Sequence, residues 1–201
     1  MTARLRSDLA LVADLVADGD RVLDLGCGAG DLLDHLKAER GCQVTGVEID
    51  PDAVVAAIRR GVPVLEVDID QGLKAFGDGS YDVVVLSRTL QTIRHPREVL
   101  HEMARIGRRL IVSVPNFGWW GHRLRLLRGR MPMSRELPYS WFDSPNLRFT
   151  TLKDLQLLFD AVGLTVERRI PLTVRGEPLR VPGATANLFS GAAVYVLRGQ
   201  E

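Results

Sequence analysis

The spacing of apolar residues along the chain predicts alternating helices and strands. Helices are predicted over 4–17, 31–39, 51–60, 96–106 and 151–162, and strands over 21–25, 43–48, 62–67, 81–87, 109–114, 164–170 and 192–198. The centre of the fourth strand, Val83 to Leu86, is wholly apolar and mostly β-branched. That composition is typical of a strand buried on both faces of a parallel sheet.

Strands that alternate with helices predict a parallel sheet covered by helices on both faces. In such sheets the ligand binds beyond the carboxyl ends of the strands, near the point where the strand order reverses. Candidate chemistry is therefore expected in the residues that directly follow each strand.

The first predicted strand leads into a glycine loop, Asp24-Leu25-Gly26-Cys27-Gly28-Ala29-Gly30-Asp31. Its spacing is G-x-G-x-G, and Asp31 stands where a dinucleotide fingerprint requires its third glycine. A carboxylate at that helix N-terminus would repel a pyrophosphate. The loop thus predicts close approach of the backbone to a ligand without phosphates.

Carboxylates follow the second and third predicted strands. Glu48 lies about 20 residues after the glycines, where an acidic side chain can accept hydrogen bonds from both ribose hydroxyls. Asp68 can accept from an adenine amino group while its apolar neighbours flank the ring. Together, the three strand ends predict a nucleoside site.

These motifs resemble the S-adenosylmethionine (SAM) motifs of class I methyltransferases. The resemblance implies an α/β, Rossmann-like class I methyltransferase fold with a seven-stranded, mostly parallel sheet, helices on both faces and an antiparallel last strand. It implies SAM or S-adenosylhomocysteine (SAH) as the ligand. The cofactor-binding residues that it implies are Asp24, Gly26, Cys27, Gly28, Gly30, Glu48, Ile49, Asp68, Ile69 and Ser87. For Asp24, a second interpretation is that it orients the glycine loop through backbone N–H groups.

The composition changes over residues 116–150. Seven of the twelve aromatic residues, including all three tryptophans, lie within 117–149, and over 119–150 arginines outnumber acids six to two. This predicts an insertion over the strand ends that acts as a substrate lid or a partner surface. Leucines and arginines alternate over 123–130, which favours either a basic amphipathic helix at a membrane or protein surface or a solvated helix laid over the core.

Further runs resemble a narrower family. Ser87 to Gln91, Asn116 to Trp120, Leu137 to Tyr139 and Trp141 to Asn146 are similar to the MetW family of bacterial methionine-biosynthesis proteins. The resemblance extends to about residue 195 and implies that the chain supports a homoserine O-acyltransferase as its partner. The alternative is a stand-alone methyltransferase of a small-molecule acceptor, and the sequence assigns no catalytic residue that would decide between the two.

Length, charge and cysteine content exclude several other classes. A chain of 201 residues predicts one methyltransferase-like domain over 1–201. A net charge of +1 gives no reason to expect a nucleic-acid or membrane partner. Two cysteines exclude a disulfide scaffold and suit a cytoplasmic location, and the four histidines show no metal-ligand spacing. No G-x-S-x-G elbow is present, so the chain is not itself expected to be the acyltransferase; His122 is the one acid–base candidate.

Overall fold

Seven strands form one sheet in the computed structural model, which describes residues 5–134 and 137–199. The strands are β1 (Arg21–Leu25), β2 (Gln43–Glu48), β3 (Val64–Glu66), β4 (Tyr81–Ser87), β5 (Gly107–Pro115), β6 (Leu164–Leu172) and β7 (Ala192–Gly199). Their order is β3-β2-β1-β4-β5-β7-β6, with β7 antiparallel to both of its neighbours and the first five strands parallel. The predicted fold class, including the antiparallel last strand, is confirmed.

Eight α-helices connect the strands over the described residues. They are α1 (Ser7–Asp14), α2 (Asp31–Arg40), α3 (Pro51–Arg59), α4 (Ile69–Gly72), α5 (Pro96–Ile106), α6 (Trp120–Leu127), α7 (Leu152–Ala161) and α8 (Gly183–Phe189). The short helices α4 and α8 were not predicted, and β3 is shorter than the predicted strand over 62–67. Residue 4, where the first predicted helix begins, and residues 135 and 136 of the predicted lid lie outside the described residues.

Successive residues of the central strands face opposite sides of the sheet, as the two-residue period of a strand requires. Val83 and Val85 of β4 belong to one apolar core with α1, α2 and α3. Val84 and Leu86 belong to the other, which contains Met103 of α5 and buried residues of α7. Both faces of the parallel strands are therefore covered.

Local side chains fix where the helices near the strand ends begin. Asp50 caps α3 by accepting a hydrogen bond from the N–H of Asp52 at 3.0 Å, and Pro51 occupies the first turn, where no N–H is needed. Thr151 and Asp154 form a reciprocal capping box at the start of α7. In the part of the chain that the structure describes, no helix is long and apolar enough to cross a membrane.

Candidate functional site

A cleft of about 400 Å³ lies at the carboxyl ends of the parallel strands. It is lined by Gly26, Glu48, Ile49, Asp68, Ile69, Asp70, Arg88, Thr89, Thr92, Ile93 and Arg94. Because β1 pairs with β2 on one side and with β4 on the other, the cleft lies where the strand order reverses. Five of the ten predicted binding residues line it: Gly26, Glu48, Ile49, Asp68 and Ile69.

The glycine loop reaches the cleft because its glycines adopt left-handed backbone angles. Gly26, Gly28 and Gly30 have φ angles of 76°, 55° and 77°. A Cβ atom on Gly26 would lie 2.5 Å from Oγ1 of Thr89, whereas a Cβ atom on Gly28 would meet nothing within 4 Å. Gly26 therefore permits the β1 and β4 loops to touch, and Gly28 leaves open space above the loop.

Glu48 holds the glycine loop against the end of β2. Its Oε2 accepts a hydrogen bond from the N–H of Gly28 at 2.8 Å, and its Oε1 accepts from the N–H groups of Ile49 and Asp50 at 2.8 and 3.1 Å. A carboxylate offers about four acceptor positions, so about one remains, on Oε2. The expectation that Glu48 is free to accept from two ribose hydroxyls therefore needs amendment, since a second bond requires release of a backbone N–H.

Asp24 is a buried carboxyl beneath the glycine loop. Its side chain is 3 % exposed, and among the described residues nothing donates a hydrogen bond to its Oδ1. Burial, together with the nearby carboxylate of Glu48, raises the pKa of Asp24 to about 7. A cation placed close to this carboxyl would stabilise its ionised form. Its Oδ1 thus does not orient the loop through backbone N–H groups.

Cys27 turns its side chain away from the cleft. A Cβ atom on Gly46 of β2 would lie 2.5 Å from the Cys27 sulfur, so this thiol fills the space that Gly46 leaves. Burial and the carboxylates of Asp24 and Glu48 raise the pKa of Cys27 to about 12. The thiol stays protonated and serves as a small packing group.

The start of α4 supplies two acidic residues and one apolar residue to the wall of the cleft. Asp68 caps the helix, its Oδ1 accepting from the N–H of Asp70 at 2.9 Å, while Ile69 adds an apolar surface to the cleft. Asp70, which sequence reasoning missed, accepts from the N–H groups of Arg94 and His95 at 3.0 and 2.9 Å. Burial acts to raise the pKa of Asp70, but these two donors lower it below its ordinary value. Asp70 therefore ties two walls of the cleft together.

The end of β4 supplies the opposite wall. The hydroxyl of Ser87 lies 3.0 Å from that of Ser113 on β5 and is not among the groups that line the cleft. The next residue, Arg88, has a φ angle of 57°, which is unusual for a residue with a side chain. Its Nε lies 2.8 Å from Oδ2 of the buried Asp8 in α1. Arg88 thus links α1 to the cleft, and no local sequence signal predicts this contact.

The lid segment, residues 116–150, is attached to the same wall. The backbone carbonyl of Gln91 accepts hydrogen bonds from the N–H groups of Leu147 and Arg148 at 2.9 and 3.0 Å. The guanidinium of Arg148 also donates to the carbonyl oxygen of Arg94 at 2.6 Å. Gln91 itself donates from its side chain to the carbonyl oxygen of Arg88 at 2.5 Å. The end of the lid and the 88–94 wall of the cleft are therefore one hydrogen-bonded unit.

The base of the lid is held by the side-chain amides of the buried Asn116 and the half-buried Asn187. Nδ2 of Asn116 donates to the carbonyl oxygens of Asn187 and Ser190 at 3.0 and 2.8 Å, and its Oδ1 accepts from the N–H of Gly118 at 3.0 Å. The side chain of Asn187 in turn accepts from the N–H of Leu152 at 2.9 Å. The lid base, α7 and α8 are thereby joined.

His122, the predicted acid–base candidate, is enclosed by the lid and does not line the cleft. It is 0 % exposed and packs on the rings of Phe117 and Trp119, with centroid distances of 5.7 and 5.2 Å. Burial lowers the pKa of His122, which keeps the ring neutral at pH 7. Its place indicates a packing role in the lid.

The residues of the cleft suit SAM. Glu48 presents a ribose acceptor, and Ile49 and Ile69 present apolar surfaces for a flat ring. Beside the cleft lining, Oδ1 of the buried Asp24 has no hydrogen-bond donor among the described residues, so a cationic ligand nearby would stabilise this carboxylate. Open space above Gly28 leaves room for the ligand to approach the loop. Over the described residues, no group of three or more His, Cys, Asp or Glu side chains is arranged to hold a metal ion.

Comparison with known proteins places the chain in a family. The model of the family "Methionine biosynthesis protein MetW" matches residues 6–197. The "Bifunctional methionine biosynthesis protein MetXA/MetW" of Rhodopirellula baltica is 33 % identical to the chain, in an alignment that covers 98 % of this chain and 33 % of that protein. A ubiquinone biosynthesis O-methyltransferase of Xanthomonas oryzae is also 33 % identical, over 49 % of this chain and 44 % of that enzyme. The chain thus spans between a third and a half of the length of these relatives.

Solved structures show the same fold at low sequence identity. A SAM-dependent methyltransferase from Thermotoga maritima superposes with a TM-score of 0.69 and 21 % identity, covering 96 % of this chain and 88 % of that one. The magnesium protoporphyrin IX methyltransferase of Synechocystis, solved with bound SAH, gives a TM-score of 0.65 and 21 % identity, covering 96 % and 80 %. The fold is that of the class I methyltransferases, and the match over residues 6–197 shows that the chain belongs to the MetW family of methionine biosynthesis proteins.

Proposed function

We propose that this protein binds SAM or SAH and acts with a homoserine O-acyltransferase in methionine biosynthesis. The observation that carries this is the Rhodopirellula relative, in which MetXA and MetW form one polypeptide and the MetW-like part aligns with nearly the whole of this chain. We take the MetXA part to be the acyltransferase. Two activities joined in one chain are held at a high effective concentration, which benefits proteins that work together.

The chain's own chemistry favours a supporting role over acyl transfer. The cleft is lined by carboxylates, arginines, threonines and isoleucines, and among the described residues it contains no histidine or cysteine. An acyltransferase needs a nucleophile and a base within hydrogen-bond reach of each other. The acylation itself is therefore assigned to the partner.

The cleft is the proposed SAM site. Glu48 would accept from the ribose, Asp68 and the two isoleucines would contact the adenine, and Asp24 would provide negative charge beneath the glycine loop. When bound, SAM supplies an electrophilic methyl group on a sulfonium ion. Because SAM is made from methionine, a protein that binds it beside an early biosynthetic enzyme is suited to sense the end product.

The test is homoserine acylation by the acyltransferase of the same organism, measured with and without this protein and across a titration of SAM. We expect a large rise in rate on addition of the protein, and a change in that rise as SAM occupies the cleft. An acylation rate that is the same with and without the protein would refute the partnership. Partnership without any effect of SAM would refute the sensing role alone.

A stand-alone methyltransferase of a small molecule is the second candidate. The observation in its favour is the 33 % identity to ubiquinone biosynthesis O-methyltransferases over half of the chain. Methyl transfer from a sulfonium requires mainly in-line positioning of the acceptor, and the carboxylates that line the cleft can accept a proton where the acceptor carries one. Release of SAH in the presence of candidate phenol or carboxylate acceptors would distinguish this activity.

We further propose a cytoplasmic location without nucleic-acid or membrane partners. Cys27 and Cys42 are both free thiols, which the reducing cytoplasm preserves. The near-neutral net charge of +1 provides no general attraction to a polyanion or an anionic bilayer.

A further inference from the structure

The lid segment exposes large apolar side chains that the protein's own core does not cover. Trp141 and Phe142 are 72 % and 69 % exposed, and their rings meet edge to face with centroids 5.5 Å apart. Leu127, at the end of α6, is 85 % exposed. Exposed apolar side chains that occur in groups mark interaction sites, whereas single ones are common on any surface.

Helix α6 has its leucines on the outside. His122 is its one buried residue, and Leu124, Leu126 and Leu127 are all exposed. The leucines of α6 therefore face solvent and do not cover the core. The arginines at 125 and 128 lie among these leucines and are exposed as well.

The two ends of the lid and helix α6 are held in place before any partner arrives. Asn116 fixes its start through three hydrogen bonds, and Leu147 and Arg148 fix its end on the carbonyl of Gln91. The buried ring of His122 anchors α6 against Phe117 and Trp119. A surface that is ordered in advance loses less conformational entropy when it binds.

We propose that these exposed lid side chains are the docking surface for the acyltransferase. The acyltransferase is expected to present an apolar groove that receives Trp141 and Phe142. Carboxylates around that groove would pair with the arginines of α6. This docking role rests on the proposed function, and it adds the surface and the chemistry through which the two proteins meet. Aromatic residues and arginine are the types that contribute most binding energy at protein interfaces.

Charge argues against a second copy of this chain as the occupant. Over residues 119–150 the sequence has six arginines and two acids. In a two-fold dimer the same patch faces itself, so arginines would meet arginines. An acidic partner relieves this repulsion, and the Rhodopirellula relative shows a MetW-like chain joined to MetXA.

The test compares the affinity of variants of the full chain for the purified acyltransferase of the same organism. Trp141→Ala with Phe142→Ala is expected to weaken binding by about 30-fold or more, the size of a hot-spot loss. The matched control is Leu157→Ala with Ile58→Ala, two exposed apolar residues outside the lid, which should alter affinity by less than about threefold. Arg125→Glu with Arg128→Glu should slow association by about tenfold at low salt and less at high salt.

Two further measurements separate the outcomes. SAM affinity of each variant, measured by calorimetry, shows whether the fold and the cleft are intact. If the wild type binds and activates the acyltransferase and the Trp141/Phe142 variant does so equally well, the docking surface is wrong and the proposed function stands. If the wild type neither binds nor activates the enzyme, both fail. The proposed docking surface is also wrong if the Trp141/Phe142 variant still binds the acyltransferase but loses self-association or liposome binding. The exposed lid side chains would then belong to a dimer interface or a membrane-binding surface.

Discussion

Replacement of Glu48 by alanine tests the assignment of the cleft most directly. The carboxylate already accepts three backbone hydrogen bonds, from Gly28, Ile49 and Asp50, which leaves about one acceptor position for the ribose. A hydrogen bond to a charged group contributes about 1.5–3 kcal/mol. At about 1.4 kcal/mol per tenfold change, Glu48→Ala should weaken SAM binding by about 10- to 150-fold.

The assay is titration calorimetry of SAM and SAH with the wild type and two variants. Glu66→Ala is the matched control, because it removes the same charge from the neighbouring strand. Glu66 pairs with Glu48 in the sheet, is exposed and does not line the cleft. The affinity of Glu66→Ala for SAM should stay within about twofold of that of the wild type, since an exposed charge outside the cleft contributes little in water and salt. Thermal unfolding of both variants shows whether loss of the Gly28 bond has loosened the glycine loop.

The reasoning is refuted if Glu48→Ala binds SAM within about threefold of the wild type, because that change is well below the loss of one charged hydrogen bond. The ribose would then lie elsewhere in the cleft. A weaker SAM affinity accompanied by a sharp fall in the melting temperature of Glu48→Ala would assign Glu48 to holding the loop instead of the ligand.

Three more outcomes follow from the same structure. Because the pKa of Asp24 is raised from 3.8 to about 7, the folded state keeps a proton that the unfolded state releases. At about 1.4 kcal/mol per pKa unit, the free energy of unfolding should therefore fall by up to about 4 kcal/mol as pH rises from 3.8 to about 7. Above about pH 7 this contribution should stay constant. Binding of cationic SAM should tighten over the same rise, and urea unfolding and calorimetry of Asp24→Asn should show neither dependence. Gly46→Ala places a Cβ atom 2.5 Å from the Cys27 sulfur and should cost about 1–3 kcal/mol in urea unfolding, largely recovered by adding Cys27→Ala. Asn116→Ala removes the donor to one buried and one half-buried carbonyl oxygen and should lower stability by about 2–4 kcal/mol in the same assay. A loss below about 0.5 kcal/mol would show that the lid base is held by other contacts.

The strand ends could be predicted from sequence because their signals are local. A glycine that needs a left-handed angle, or a carboxylate directly after an apolar run, is visible within a few residues. Glu48 shows the limit of that reasoning. Its position was predicted, but the three N–H groups that occupy its oxygens were not, because one of them belongs to Gly28, 20 residues away.

Other parts of the site depend on contacts between distant segments. The bond from Asn116 to the carbonyl of Ser190 joins residues 74 apart, and Arg88 reaches Asp8, which lies in the first helix of the chain. Asn116 and Arg88 each lie in a run that resembles the MetW family, but no local pattern indicates which distant group their side chains contact. Helix α8 was missed for a different reason, since a seven-residue helix that begins with glycine is too short for its apolar spacing to stand out.

The position of β7 has a consequence for synthesis of the chain. β7 comes last among the strands, yet it pairs with β5 on one side and with β6 on the other. At roughly 5–20 residues per second, the ribosome completes β5 several seconds before it delivers β7. During that interval the apolar edge of β5, including Ile111 and Val112, has no hydrogen-bonded neighbour on that side and can pair with another nascent chain. Expression at lower temperature or with chaperones that bind extended apolar segments should therefore raise the soluble yield, and truncation before residue 192 should abolish it.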